Sequence, residues 1–289
     1  MALFINTNVA SLGAQRSLAT SGAELKTAME RLSSGKKINS AADDAAGFAI
    51  AERMTAQIRG LNMATKNAND GLSMLGVIEN ATNDVTDMLH RMRELAIQAT
   101  NDTNSDEDRA FLQKEVTALI AEIDRVATDT QYNGQKVLEG GFTSKSIQVG
   151  TEAGQTITFS VNGIKANAIG SRDANGAITG ALGAKNDVHS IDISNATDAQ
   201  AGLQVITDAI EQVAGDRATY GALQNRLEYT VSNLMNVAEF TTAARSRIED
   251  ADFAAESARL AKAQVLQQTG TAMLAQANAS SQLALSLIR

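Results

Sequence analysis

Apolar residues return at helical spacing over most of this chain, and the places where that rhythm stops mark its parts. Over residues 1–33, Leu18, Leu25 and Leu32 recur every seven positions, with alanines and Met29 between them. Ser33-Ser34-Gly35 ends that stretch with a glycine where helices commonly stop. A new start is predicted at Ser40-Ala-Ala-Asp43, an S-x-x-D capping pattern, with Asp44 adding charge that suits the helix dipole. No breaker other than isolated glycine follows until about Thr100. Leu61, Ala68, Leu75, Thr82, Leu89 and Ala96 form one row by sevens, and Ile58, Thr65, Leu72 and Glu79 a companion row. This predicts one helix of almost sixty residues carrying a heptad seam. Asn101 to Ser105 reads as a loop. Ser105 with Asp108 caps a further helix to about Thr128, its apolar side formed by Phe111, Leu112, Val116, Leu119, Ile120, Ile123 and Val126.

Between residues 131 and 195 the helical period is lost and glycine is frequent. Ile147 and Val149, then Ile157, Phe159 and Val161, alternate as strands do, and residues 151–155 supply a turn between them. A β-hairpin is expected there, followed by a Gly/Asn-rich surface loop over 162–190 and a short strand at 188–193. Helical spacing resumes near Asp198 and continues to about Phe240 through Leu203, Ile206, Ile210, Val213, Leu223, Leu227, Val231 and Leu234. A final helix is expected over about 243–288, where Phe253, Leu260, Leu274 and Ile288 share a seven-residue row. The fold class that follows is mainly α. Long antiparallel helices from both chain ends pair as a rod, with a small β-hairpin region in the middle of the chain.

Composition sharpens this picture. Proline is absent, although average usage of about 5% would supply roughly 14 in this length. Such a chain can form very long helices and never waits for X-Pro isomerisation. Cysteine is also absent, which excludes disulfides and thiol chemistry. Together these suit a protein that crosses a membrane unfolded and folds quickly afterwards. The net charge of −8 argues against nucleic-acid binding, which needs a cationic face. MALFINTN has no cationic n-region and no A-x-A site, so the ordinary secretory route is not expected. His90 and His189 are not at ligand spacing, and neither a P-loop nor G-x-S-x-G occurs. No enzyme activity, cofactor or metal is expected.

Between Lys262 and Arg289 there is no ionisable side chain. Gln264, Gln267, Gln276, Asn278 and Gln282 make that tail too polar for membrane insertion. An exposed helix would carry charge. An uncharged, alanine-rich, partly amidic helix fits best inside an assembly of like subunits. Two terminal helices alone have little to bury, so both ends are expected to be disordered in the monomer and to order on polymerisation.

Several segments resemble bacterial flagellin, the subunit of the flagellar filament. They are INTNVASLGAQRSL, RLSSGKKINSAADDAAGFAIAERM, LHRMRELAIQATN, EIDRVATDTQYNGQKVL, RIEDADFAAE and the terminal LALSLIR, in order over about 1–140 and 195–289. Only about 55 residues separate the helical halves, so a short form without large outer domains is implied. The resemblance implies an inner coiled-coil domain from residues 1–42 and 245–289 and a rod domain over 43–244. It implies a helical homopolymer around a channel, with export unfolded through the flagellar type III apparatus and assembly under a cap. Implied partners are further copies of the chain, an export chaperone on the C-terminal region, filament cap and hook-junction proteins, and the vertebrate Toll-like flagellin receptor. Arg91, Leu95 and Glu115 match the family positions that pack subunits and meet that receptor. The assembly core would be Leu18, Leu25, Leu32, Phe253, Leu260, Leu274, Leu285 and Ile288. Gln276, Asn278 and Gln282 would line the channel. Ser34, Gly35, Lys36, Lys37, Ser40, Asp43 and Asp44 would connect the two domains, with the lysines at a solvated surface. A hook–filament junction protein is the nearest alternative.

Overall fold

The computed structural model describes residues 7–170 and 187–286, with side chains in the last helix through residue 280. Five α-helices carry most of it: α1 (Val9–Ser34), α2 (Ala45–Ala99), α3 (Asp106–Asp129), α4 (Ala196–Glu249) and α5 (Phe253–Ser286). Two antiparallel two-stranded ribbons lie between α3 and α4 in sequence, β1 (Gln131–Tyr132) with β2 (Gln135–Lys136), and β3 (Lys145–Gln148) with β4 (Thr156–Phe159). The mainly helical class, the helices from both ends packed on each other and the small strand region are as the sequence implies. The chain divides into two compact units, residues 60–238 and residues 1–59 with 239–289.

In the unit of residues 60–238 the predicted row of α2 is buried throughout, with Ala68, Leu75, Thr82, Leu89 and Ala96 at 0% exposure. Its partner row is not the predicted one. Ile58, Thr65, Leu72 and Glu79 are half-buried. The second buried row is Ala64, Gly71, Ile78, Val85, Met92 and Ala99, three residues after the first. These are the a and d positions of a heptad, whereas the expected companions stand one position further round the helix. α4 supplies a matching row, Ala199, Ile206, Val213, Tyr220, Leu227 and Leu234, every member buried. On α3, Val116, Ile120 and Ile123 face the same core, but Phe111 is 64% exposed, with the Lys114 ammonium over its ring.

Helix ends follow their capping chemistry. Ser105 and Asp108 form the expected capping box of α3. At the other side of that turn the guanidinium of Arg109, 7% exposed, donates to the carbonyls of Ala99 and Asn101 and to Asp106. It satisfies backbone oxygens that the end of α2 leaves without helical partners. α4 continues through Phe240 to Glu249, so the break before the final helix lies at 250–252, not near 240. Nothing between Phe240 and Glu249 stops a helix, whereas Asp252 caps α5 by accepting from Ala254 N and Ala255 N.

The expected hairpin is formed by β3 and β4, with Ile147 opposite Ile157. The smaller ribbon was not anticipated. Its two-residue turn is Asn133-Gly134, with φ of 49° and 76°, the doubly left-handed geometry that Asn-Gly favours. The expected surface loop instead sends apolar residues into the core: Ile164, Ala166, Ile169 and Val188 are all 0% exposed, while Asn162, His189 and Ser190 are exposed. The expected strand at 188–193 is a 3₁₀ turn over Val188–Ser190 followed by an extended run. Those segments lack strand partners, so side chains satisfy their backbones. Gln113 donates to Ile191 O and accepts from Ile193 N, Gln212 donates to Ala168 O and accepts from Gly170 N, and Asp124 accepts from Ala166 N.

Candidate functional site: the paired chain ends

In the other unit α1 and α5 run antiparallel. Asn8 caps α1 through Ser11 N, and its Nδ2 donates to Ala277 O across the pair. Further along, Leu18 lies against Gly270, where an added Cβ would stand 3.3 Å from Leu18 Cδ1. At the far end Gly35 meets the ring of Phe253. The most buried faces are made of small residues. Ser21 and Ala28 on α1 are 8% and 2% exposed, and Ala263 on α5 is 2% exposed. Gly270 and Ala277 continue the α5 row, half-buried. Leu18, Leu25, Leu32, Leu260 and Leu274 are half-buried, and Phe253 is 58% exposed. The side chains of Gln282 and Leu285, and all of Ile288, lie outside the described residues. Gln276 and Asn278 are exposed, Gln276 at the rim of a groove of about 490 Å³ between the two helices.

Small residues let the backbones approach closely, but they bury little apolar area. The remaining faces stay open. Val9, Leu12, Met29, Val265 and Met273 are between 56% and 66% exposed. Large apolar side chains left exposed along both helices of a pair suit an interaction face. Among the described residues no helix is long and apolar enough to cross a membrane, and no group of side chains could hold a metal ion.

The connector from α1 to α2 is clamped to the break between α4 and α5. Gly35 ends α1 in the left-handed conformation, φ 73°, its N–H bonding Arg31 O. Its carbonyl accepts from Ala251 N, Lys37 N donates to Glu249 O, and Lys36 pairs with Asp250 as an isolated antiparallel bridge. Lys36 Nζ lies 2.5 Å from Glu249 Oε1, so this lysine is tied within the chain, while Lys37 is exposed. Ser34 Oγ accepts from Lys36 N. Ile38, 3% exposed, anchors the connector, and neither it nor Glu249 was singled out in the sequence. Ile38 is a lone apolar residue in a polar run, which was the available signal.

The helix start predicted at Ser40 falls instead at Ala45. Asp44 is the cap, accepting from Ala46 N and Gly47 N. Asp43 closes a preceding turn by accepting from Asn39 N, Ser40 N and Ser40 Oγ, and the Asn39 N–H bond chiefly holds its carboxyl below the usual carboxylate range. The reason is that two consecutive aspartates compete for the role, and the one adjacent to Ala45 reaches the free N–H groups.

Arg91 and Glu115 are brought together in the other unit. Arg91 Nε donates to Glu115 Oε1 at 2.9 Å and Nη1 to Glu94 Oε2 at 2.9 Å, which pushes the guanidinium pKa up further. Both partners are about half exposed, whereas Leu95 is 1% exposed and belongs to the core.

Comparison with known proteins bears on this arrangement. The profile of the bacterial flagellin N-terminal helical region matches residues 5–143, and that of the C-terminal helical region matches residues 203–288. A flagellin of Halalkalibacterium halodurans is 40% identical over 99% of this chain and 100% of its own length. A flagellin of Bacillus subtilis is 41% identical over 99% of both chains. Among solved structures, a putative flagellar hook-associated protein from Vibrio parahaemolyticus superimposes with a TM-score of 0.58 over 72% of this chain and 100% of its own. At 16% identity that likeness is one of fold.

Proposed function

This chain belongs to the bacterial flagellin family, and we propose that its two ends turn a folded subunit into a polymer. It is a structural subunit of the flagellar filament, not an enzyme, and serves motility. The observation that carries the assembly reading is the paired ends, which bury small residues against each other and leave apolar ones open. Copies supply the missing partners. Residues 1–42 and 245–289 then form the inner coiled-coil layer around a channel, and residues 43–244 the surrounding domain. Leu18, Leu25, Leu32, Leu260, Leu274, Leu285 and Ile288 pack between copies with Phe253, and Gln276, Asn278 and Gln282 face the channel. The subunit leaves the cell unfolded through the flagellar type III apparatus. An export chaperone holds its C-terminal region, and cap and hook-junction proteins bound the filament. The test is limited proteolysis of monomer and polymer. Protection of residues 1–35 and 250–289 in the polymer only is expected, and equal resistance in both states overturns the reading.

A hook–filament junction role is the alternative, motivated by the fold likeness to hook-associated proteins. Quantifying copies per flagellum separates the two, since a junction protein forms a short ring and a filament subunit the bulk of the appendage. For the Toll-like receptor, Arg91 and Glu115 offer a half-exposed pair and Leu95 supports them from below. Reporter cells that respond to monomer, with a weaker response to Arg91→Ala of equal thermal stability, are expected. Equal responses would remove this contact.

A further inference from the structure

Asparagine is followed by glycine at two places in the unit of residues 60–238, Asn133-Gly134 in the turn between β1 and β2 and Asn162-Gly163 after β4. Both asparagines are exposed, but their surroundings differ. Asn133 is held in a tight turn at φ 49°. Gly163 lies against another backbone, and a Cβ there would stand 2.9 Å from Gly140 Cα and 3.1 Å from its N. Packing therefore excludes a side chain at 163, the group that would otherwise hinder attack by its nitrogen. The Gly163 N–H meets no acceptor among the described residues. Asn162 Nδ2 donates to Asp216 Oδ1 at 2.7 Å, which ties the segment after β4 to α4. Burial favours the protonated form of the Asp216 carboxyl, against the smaller opposing effect of Asn162.

We propose that Asn162 is a self-modification site, at which the Gly163 nitrogen displaces the side-chain amide while the Asp216 carboxyl assists its departure. The Gly163 nitrogen gives its proton to solvent, attacks Asn162 Cγ and closes a five-membered ring. Nucleophile and carbonyl are adjacent in the chain, so no encounter is needed. Nδ2 then carries a lone pair, its contact with Asp216 reverses, and the carboxyl donates a proton to it. The Cγ–Nδ2 bond breaks and ammonia leaves. Water opens the resulting succinimide to aspartate, or to isoaspartate with the chain routed through the side chain, and solvent returns the proton to Asp216. Aspartate puts a carboxylate where the amide donated, facing Asp216, and isoaspartate lengthens the backbone there. Either product ends the tie between this segment and α4.

The site lies outside the chain ends, so the monomer serves for the test. The full chain is aged at pH 7, folded and in guanidinium chloride, and digested with trypsin. Peptide 146–165 contains Asn162 as its only asparagine, and peptide 126–136 contains only Asn133. Mass spectrometry reads the exchange of NH2 for OH in each. Asn162 should convert at least threefold faster in the folded chain than in the unfolded one, and Asn133 should not. A reaction that waits for local opening cannot run faster folded than unfolded, so a folded rate equal to or below the unfolded rate overturns the proposal. Asp216→Asn should slow Asn162 at least threefold in the folded chain and leave Asn133 unchanged; an undiminished rate removes Asp216 from the reaction. Asn162→Asp, the product, should lower the urea midpoint, and adding Asp216→Asn should restore most of it. An unmoved midpoint in Asn162→Asp overturns the predicted loss of the tie.

Discussion

In α4, six positions spaced by sevens from Ala199 to Leu234 are buried, and four of them are Ile206, Val213, Tyr220 and Leu227. In α5 the equivalent row is Glu256, Ala263, Gly270 and Ala277, of which two are only half-buried. Both rows obey the same period. What differs is the size of the side chain delivered at each turn and the number of elements that meet it. The α4 row meets α2, α3 and the middle segments in one cluster, so each large residue removes apolar area from water on several sides. The α5 row packs against α1, and none of its members belongs to that cluster. Period fixes which face a helix turns inward; side-chain volume decides whether the chain can stand on that face without company.

The largest test of this contrast substitutes one leucine on each side. Leu89→Ala removes a 0% exposed side chain from the cluster and should lower stability by about 3 kcal/mol in urea unfolding. Leu18→Ala, on a half-buried residue, should leave that unfolding midpoint unchanged while sharply reducing polymer yield. If Leu18→Ala shifts the midpoint as far as Leu89→Ala does, the two regions unfold as one and the contrast fails.

The same contrast explains what the sequence made legible. The row from Leu61 to Ala96 was plain through three evenly spaced leucines, Leu61, Leu75 and Leu89. Its true partner row was hidden by Ala64, Gly71 and Ala99, which carry little hydrophobic signal although all are buried. Over residues 58–72 the row offset by four shows Ile58 and Leu72 where the true row shows only Ala64 and Gly71. Helix ends were legible wherever one residue could cap, as at Ser105, and misplaced where Asp43 and Asp44 stand side by side. The middle segments were misjudged because Ile164, Ile169, Val188 and Ile193 follow neither period, yet all are buried. Their partners Gln113, Asp124 and Gln212 are far away in sequence, and no local pattern announces such bonds. At the candidate site the half-buried leucine row and the left-handed Gly35 were readable, whereas the clamp through Glu249 and Ala251 depends on two breaks meeting in space.

That clamp gives the second test, smaller and confined to the ends. At Gly35, φ is +73° and an added Cβ would find Phe253 at an ordinary 3.8 Å, so the penalty of a side chain is in the backbone and not in crowding. Gly35→Leu should cost about 1–2 kcal/mol locally. It should speed hydrogen exchange at Lys37 N and Ala251 N and disrupt filaments, with the core midpoint unmoved. Gly35→Asn, which tolerates the left-handed region better, should be milder. Normal filaments from Gly35→Leu would show that the connector does not transmit order between the ends and the rest of the chain.

The smallest effect belongs to Asp216, a half-buried acidic residue of α4. It occupies the row three positions after Val213. Its Oδ1 accepts from Asn162 Nδ2 at 2.7 Å, but Oδ2 is shielded and takes no hydrogen bond among the described residues. Burial pushes the Asp216 carboxyl up from the ordinary aspartate value, against the smaller opposing effect of Asn162, and burial with the nearby Asp216 charge pushes the Tyr220 phenol up. A carboxyl whose folded pKa is raised binds its proton more tightly in the folded state. Its stabilising contribution is complete below the unfolded pKa and is lost as pH rises through the folded one. Asp216→Asn keeps an acceptor for Asn162, supplies a donor for the shielded side and removes the charge. It should raise stability at pH 7 by about 1 kcal/mol. The carboxylates of Asp43, Asp108, Glu122 and Glu139 are held below their usual range by hydrogen bonds and cations, so both proteins lose stability in acid through them. The difference between variant and wild type isolates Asp216: it should shrink towards zero as pH falls below the ordinary aspartate range. A gap that stays constant from neutral pH into acid would mean that the substitution acts through packing, and that this layer of the core tolerates charge as readily as the open faces of the paired ends do.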